Sequence, residues 1–217
     1  MRNKFRLVYN PFFHGLLLLW VVAGAVLLSS FDKRTLFETV NSHYTDFWNV
    51  GMYIITFIGQ PEVIIPVLLL LTVFRQFRNW WYILTAIVCN VAPLIVQQTM
   101  KHLMYHPRPL KFFSHAEWIH FEKALWPELT GNNSFPSGHS QGAFSFFCFL
   151  SLLLPAKYRP FGALFFFAAL SVCYSRMYLA AHFFADVYTG SIIGAVTTTL
   201  LFSIMQVYRK PTGIMNI

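Results

Sequence analysis

Three polar clusters interrupt a largely apolar chain, and their residue types suit phosphoryl transfer. The first runs Lys101-His102-Leu103-Met104-Tyr105-His106-Pro107-Arg108-Pro109, and the second is Pro136-Ser137-Gly138-His139. The third extends from Ser175 and Arg176 to His182 and Asp186. If His182 opens a helix, Asp186 lies four residues on, shares its face and can hydrogen-bond one imidazole nitrogen. Such a bond fixes the tautomer and leaves the other nitrogen as a nucleophile. The carboxylate also stabilises the positive charge that develops as the ring attacks. The chemically inert alternative is a boundary histidine beside a first-turn aspartate that favours the helix dipole.

In the second cluster, Gly138 lets the backbone approach a ligand, and the amides of a helix start can receive an anion. His139 would then stand beside a bound phosphoryl group as the general acid that protonates the leaving alkoxide. A Pro-Ser turn capping a helix explains the same tetrapeptide without chemistry. Lys101, Arg108 and Arg176 add an ammonium and two guanidinium forks, enough to neutralise a phosphate dianion and the further charge of its transition state. Singly, each is an ordinary boundary cation with its stem in apolar surroundings. The conjunction of nucleophile, acid and cations is what points to catalysis.

The elements that position these groups follow from composition. The 217 residues are 56% hydrophobic and 18% aromatic, and only 11% are charged, against about 25% in a soluble domain. Disorder, a coiled coil and a disulfide scaffold are excluded, and the expected fold is all-α, a polytopic membrane helix bundle of about six transmembrane helices. The length suits a single integral-membrane domain over 1–217, with a motif-bearing core at about 80–206. Cys89, Cys148 and Cys173 each fall in apolar segments and read as small buried residues.

The first apolar run, Leu16–Leu28, follows Arg2, Lys4 and Arg6, as in a secretory signal. Ala23-Gly24-Ala25 lies inside the run instead of after it, and Phe12 and Phe13 lengthen it, so an uncleaved first span is expected. Further stretches centre on Ile64–Phe74, Trp80–Met100, Ser140–Leu154, Phe161–Tyr174 and Phe183–Met205. The second span should begin before Pro61, with Tyr44–Ile58 lying along the interface. Pro66 and Pro93 fall where membrane helices tolerate proline.

The net charge of +8 would suggest nucleic acid in a soluble protein, but these cations sit in short groups between apolar runs and read as topology. Alternate sides of six spans place Arg2, Lys4, Arg6, Arg75, Arg78, Lys157, Arg159, Arg209 and Lys210 together with no acid, and all eight acids opposite. The positive-inside rule then puts both termini in the cytoplasm of a multi-pass inner-membrane protein. All three polar clusters face the periplasm or exterior.

The ordered pattern Lys-x6-Arg-Pro, Pro-Ser-Gly-His and Ser-Arg-x5-His-x3-Asp resembles the type 2 phosphatidic acid phosphatase family, which also includes vanadium haloperoxidases and glucose-6-phosphatase. Its fixed positions match at Lys101, Arg108, Pro109, Pro136, Ser137, Gly138, His139, Ser175, Arg176, His182 and Asp186. The resemblance implies a phosphomonoesterase or pyrophosphatase that needs neither metal nor cofactor and works through a phosphohistidine on His182, held by Asp186. It implies His139 as acid and then base, with Lys101, Arg108, Ser137, Gly138 and Arg176 binding phosphate. Ser137 as a phosphate ligand rests on the resemblance alone.

The competing readings are a metal site built from His102, His106, His115 and His120, a soluble haloperoxidase, and a non-catalytic anion-binding transporter or scaffold. Pro107 and the lack of a completing Cys or acidic set weigh against the first, and the apolar spans against the second. Intact His139, His182 and Asp186 weigh against the third. The expected partners are the bilayer and a lipid phosphate: phosphatidic acid, phosphatidylglycerol phosphate, undecaprenyl pyrophosphate or lipid A phosphate. No oligomeric state is assigned. Phe112, Phe113, Trp118 and Trp126 could form either an interfacial lid or an ordinary aromatic belt.

Overall fold

The computed structural model describes residues 4–113, 116–121, 129 and 133–209. The regular structure described is helical: α1 (Pro11–Ser30), α2 (Lys33–Asn41), α3 (Asp46–Phe57), α4 (Pro61–Leu71), α5 (Trp80–Leu103), α6 (Pro109–Phe112), α7 (Gly138–Leu153), α8 (Phe161–Tyr178) and α9 (Phe184–Val207). Local chemistry sets several of the starts. Asn10, Asp32, Thr45 and Asn79 each accept a backbone N–H of the helix they precede, and Pro11 and Pro61 stand where a missing amide costs nothing.

Among the described residues, α1, α5, α8 and α9 are long and apolar enough to cross a membrane, and α3 with α4 is so only as a pair, bent by 52°. The sixth expected stretch is α7. Its 16 residues span roughly 24 Å, shorter than its neighbours, and it forms the buried centre of the bundle, packed against α5, α8 and α9, with Phe144, Phe149 and Cys148 fully enclosed. The second span is expected to begin before Pro61, and the chain bends there, at residues 58–60, between α3 and α4.

Small residues let α7 and α9 meet backbone to backbone. Gly190 and Gly194 form a G-x-x-x-G pair facing α7, a spacing that brings membrane helices close. A Cβ on Gly190 would lie 2.5 Å from the Ser137 carbonyl, and one on Gly194 would strike the Gln141 carbonyl and come within 2.9 Å of the Ser145 amide. The first apolar run joins the bundle as α1: Trp20 Nε1 donates to Ser191 Oγ at 2.8 Å, and the Tyr188 hydroxyl donates to the Val21 carbonyl at 2.7 Å. Its outward face is apolar, with Leu18, Leu19 and Val22 exposed, as expected of a helix bathed in lipid. All three cysteines are free and buried.

Candidate functional site

Ser137 caps α7, its hydroxyl accepting the Ser140 amide at 3.4 Å, while its own amide donates to the Asp186 carbonyl at 3.0 Å. The Gly190 contact makes that approach possible, so the second and third clusters are docked directly. Gln97 on α5 holds the strand of chain before them, donating through Nε2 to the Pro136 carbonyl at 2.8 Å. Gly138 has no crowded neighbour: a Cβ there would meet the Gln97 amide at an ordinary 3.7 Å. Packing therefore does not require a glycine at 138.

His182 lies in the turn between α8 and α9. The Arg176 carbonyl accepts the amides of Ala181 and His182 at 2.9 and 3.2 Å, and Ala180 takes a φ of 55°, a left-handed conformation uncommon for alanine. The ring is 2% exposed. Its Nδ1 is 3.5 Å from Asp186 Oδ2 and 3.3 Å from Ser134 Oγ. The Ser134 hydroxyl donates to the same carboxylate oxygen in a very short contact, and the Phe183 amide donates to it at 2.9 Å.

This corrects one sequence expectation. His182 precedes the helix instead of opening it, since α9 begins at Phe184 with Phe183 as its cap. Asp186 reaches the ring because its carboxylate turns back over the helix start to satisfy the cap amide. Ser134 was not anticipated: it stands two residues before the Pro136 cluster, and serine in a connection carries no signal of its own.

Burial pushes His182 well below the ordinary imidazole value, and the nearby charges of Arg108, Arg176 and Lys101 push in the same direction. The ring is thus neutral at neutral pH. A neutral imidazole whose Nδ1 proton is committed to Ser134 and Asp186 offers its Nε2 lone pair.

The cations converge from three elements. Arg176, in the last turn of α8, is fully buried and donates through Nη1 to Thr56 Oγ1 of α3 at 3.0 Å. Arg108, just before α6, donates to the Ala181 carbonyl at 3.4 Å. Lys101, in the last turn of α5, lies within electrostatic range of Arg108, Arg176 and Asp186. His139, on the first turn of α7, senses Arg176, His182, Arg108 and Lys101, and its Nε2 is 2.8 Å from Nε2 of Gln60. The sequence-expected residues therefore form one cation-rich centre, with Ser137, Arg176, His182 and Asp186 buried and Lys101, Arg108, Gly138 and His139 half-buried; Thr56 and Gln60 join them unforeseen.

Two spaces flank this centre. A groove of about 320 Å³ between α4, α5 and α7 is walled by Gln60, Ile64, Asn90, Leu94 and Gln98 and reaches His139. A cavity of about 400 Å³ between α1, α2, α8 and α9 is nearly all apolar and contains none of the polar centre.

The aromatic connection packs inward over His182's neighbour. Phe113 sits 4.9 Å from Trp118 and 5.9 Å from Phe183 between ring centroids, and Phe37 of α2 joins both clusters of rings. Asn41 of α2 clamps the connection to α8, donating to the carbonyls of His120 and Tyr178 at 2.8 and 2.9 Å. Trp126 lies outside the described residues. Of the histidines weighed for a metal, His102 is on α5 and His106 beyond its end, His120 stacks on Tyr44, and His115 lies outside the described residues. Among the described residues, no group of three or more His, Cys, Asp or Glu side chains is placed to hold a metal ion.

Comparison with known proteins bears on the family and the fold. The family model of the PAP2 superfamily matches residues 66–210. A curated undecaprenyl-diphosphatase of Sulfolobus acidocaldarius is 29% identical over 182 residues, covering 82% of this chain and 78% of that protein. The crystal structure of Aquifex aeolicus LpxE superposes with a TM-score of 0.65 at 24% identity, covering 80% of this chain and 97% of that one. The first transmembrane PAP2 type phosphatidylglycerolphosphate phosphatase from Bacillus subtilis superposes at 0.63 and 21% identity, covering 88% and 94%. Both solved structures share the fold.

Proposed function

The chain belongs to the PAP2 superfamily, and on that premise we propose that this multi-pass membrane phosphatase hydrolyses a lipid phosphomonoester or pyrophosphate through a phosphohistidine on His182. The observation that carries the reading is the neutral, buried ring of His182, tied at Nδ1 to Ser134 and Asp186 and surrounded by Arg108, Arg176 and Lys101. In the first step Nε2 attacks phosphorus, the bond from phosphorus to the leaving oxygen breaks, and His139 gives that oxygen its proton. In the second, water attacks the phosphohistidine, His139 takes the water's proton, and inorganic phosphate leaves with His182 restored. Lys101, Arg108, Arg176, the Ser137 hydroxyl and the Gly138 amide hold the phosphoryl oxygens through both steps.

His139 must face the leaving oxygen, so the leaving lipid lies on its side of the centre. The groove between α4, α5 and α7 begins there, and Ile65, Val91 and Leu94 on its walls are exposed to the apolar surroundings of the bundle. A lipid can thus present its phosphate from within the bilayer. Phosphatidic acid, phosphatidylglycerol phosphate, undecaprenyl pyrophosphate and lipid A phosphate all meet that requirement, and the undecaprenyl-diphosphatase relative puts the third first in any assay. We read residues 1–217 as one domain in the inner membrane, with both termini cytoplasmic and the centre toward the periplasm or exterior.

The test is phosphate release by the purified protein from these four lipids with EDTA present throughout. Release that persists in EDTA and falls by roughly a thousandfold or more in His182→Ala is expected, as for loss of a nucleophile. Undiminished release by a folded His182→Ala protein would exclude the phosphohistidine. No release from any lipid by a folded wild-type protein would favour the anion-binding scaffold.

A further inference from the structure

His139 rides on the first turn of α7, and the break between α3 and α4 is pressed against that turn. A Cβ on Gly59 would lie 2.6 Å from the His139 carbonyl, and one on Gly142 would lie 2.7 Å from the Gly59 carbonyl. The two backbones touch only because both residues lack side chains. Gln60 comes next in the chain. It occupies the cap position of α4, but its side chain does not cap that helix. Its amide turns to the imidazole of His139, 2.8 Å from Nε2. Its neighbours on α4 are the apolar Pro61, Ile64 and Ile65, while Asn90, Gln98 and Gln141 line the same groove, and a polar amide so placed is costly unless it is hydrogen-bonded.

We propose that Gln60 is a positioning residue for His139, holding the imidazole at Nε2 in both of its charge states. In both states His139 Nε2–H donates to Gln60 Oε1, the terminal amide, whose nitrogen and oxygen are nearly the same size, being turned so that its oxygen meets the ring. The proton given to the leaving oxygen, and the one later taken from water, therefore moves at Nδ1, and the imidazole keeps one orientation through both steps. The bend between α3 and α4 acquires a purpose: it delivers this amide to the proton donor from a helix that otherwise faces lipid. The inference rests on His139 being the proton donor of the proposed reaction.

The charged and titratable groups around His139 are Arg176 from α8, His182 from the following turn, Arg108 before α6 and Lys101 from α5. Asp186 of α9 is engaged with Ser134 and His182, and Glu62 lies on α4 two residues past Gln60. The experiment measures kcat and KM against pH for Gln60→Ala and Gln60→Glu, with His139→Ala in parallel, on whichever lipid the wild-type protein hydrolyses. Gln60→Ala is expected to lower kcat about 10- to 100-fold with KM little changed, the scale of one hydrogen bond to a group that becomes charged. Gln60→Glu restores the contact and sets a carboxylate against the ring, so kcat recovers and the alkaline limb of the profile moves up by about one to three pH units. Should Gln60→Ala fold poorly, the shift in Gln60→Glu still decides. Wild-type kcat and an unshifted profile in both variants, with His139→Ala inactive, would overturn the role of Gln60 alone. Full activity in His139→Ala would overturn the role of His139 and that of Gln60 with it.

Discussion

A buried imidazole serves as a nucleophile at neutral pH when its surroundings keep it uncharged and fix its tautomer, and both conditions meet at His182. Burial and three nearby cations lower its pKa below the usual 6.5, so the neutral form persists on the acidic side of that value. The acid limb of kcat/KM in the proposed reaction should therefore lie below pH 6.5; a limb at or above 6.5 would contradict a desolvated ring. Ser134 tests the other condition. Its hydroxyl stands between Nδ1 and the carboxylate, and Ser134→Ala should cut kcat about 10- to 100-fold, the equivalent of roughly 1.5–3 kcal/mol for a hydrogen bond to a charged group. An unchanged kcat would mean that Asp186 orients the ring by itself. The types and spacing of His139, His182, Asp186 and the cations are visible in the sequence because phosphoryl chemistry needs them in that combination. Ser134, Thr56 and Gln60 are not, because an uncharged polar residue far along the chain shows its use only when folding sets it against a partner.

Among the elements, the pairing of α7 with α9 brings His139 and His182 together, and it depends on glycine. Gly194→Ala places a methyl group against the Gln141 carbonyl and the Ser145 amide, and overpacking of that kind costs about 1–3 kcal/mol. A lowered melting temperature in detergent, with a matching loss of activity, is the expected outcome. Gly15 on α1 is the counterpart: nothing lies within 4 Å of a Cβ there, so Gly15→Ala should stabilise the helix by about 0.5–1 kcal/mol. Equal effects at the two positions would mean that the contact between α7 and α9 is looser than described. The G-x-x-x-G spacing was present in the sequence, yet which helix it faces is a tertiary fact. The same holds for the bend at residues 58–60, where the sequence showed only that the second span begins before Pro61, while the packing of Gly59 on His139 sets the place of the turn.

At the scale of the whole molecule, the distribution of charge predicts the orientation in the membrane, and the buried native cysteines make it testable. A single added thiol would be the accessible one. Ser42→Cys, exposed beyond α2, should react with an impermeant maleimide in intact cells, while Ala156→Cys, exposed between α7 and α8, should react only after permeabilisation. The reverse pattern would turn the protein over and place the centre in the cytoplasm. The sequence by itself determined the all-helical membrane class, the apolar stretches and the set of residues able to handle a phosphate, because hydropathy and ionisable chemistry are properties of residue types. Only the tertiary structure decided that α7 is a short buried axis, that Asp186 reaches His182 by folding back over a helix start beside Ser134, and that Gln60 meets His139. Those outcomes turn on which backbones can approach one another, and such contacts join residues as far apart as Gln60 and His139, which no local pattern connects.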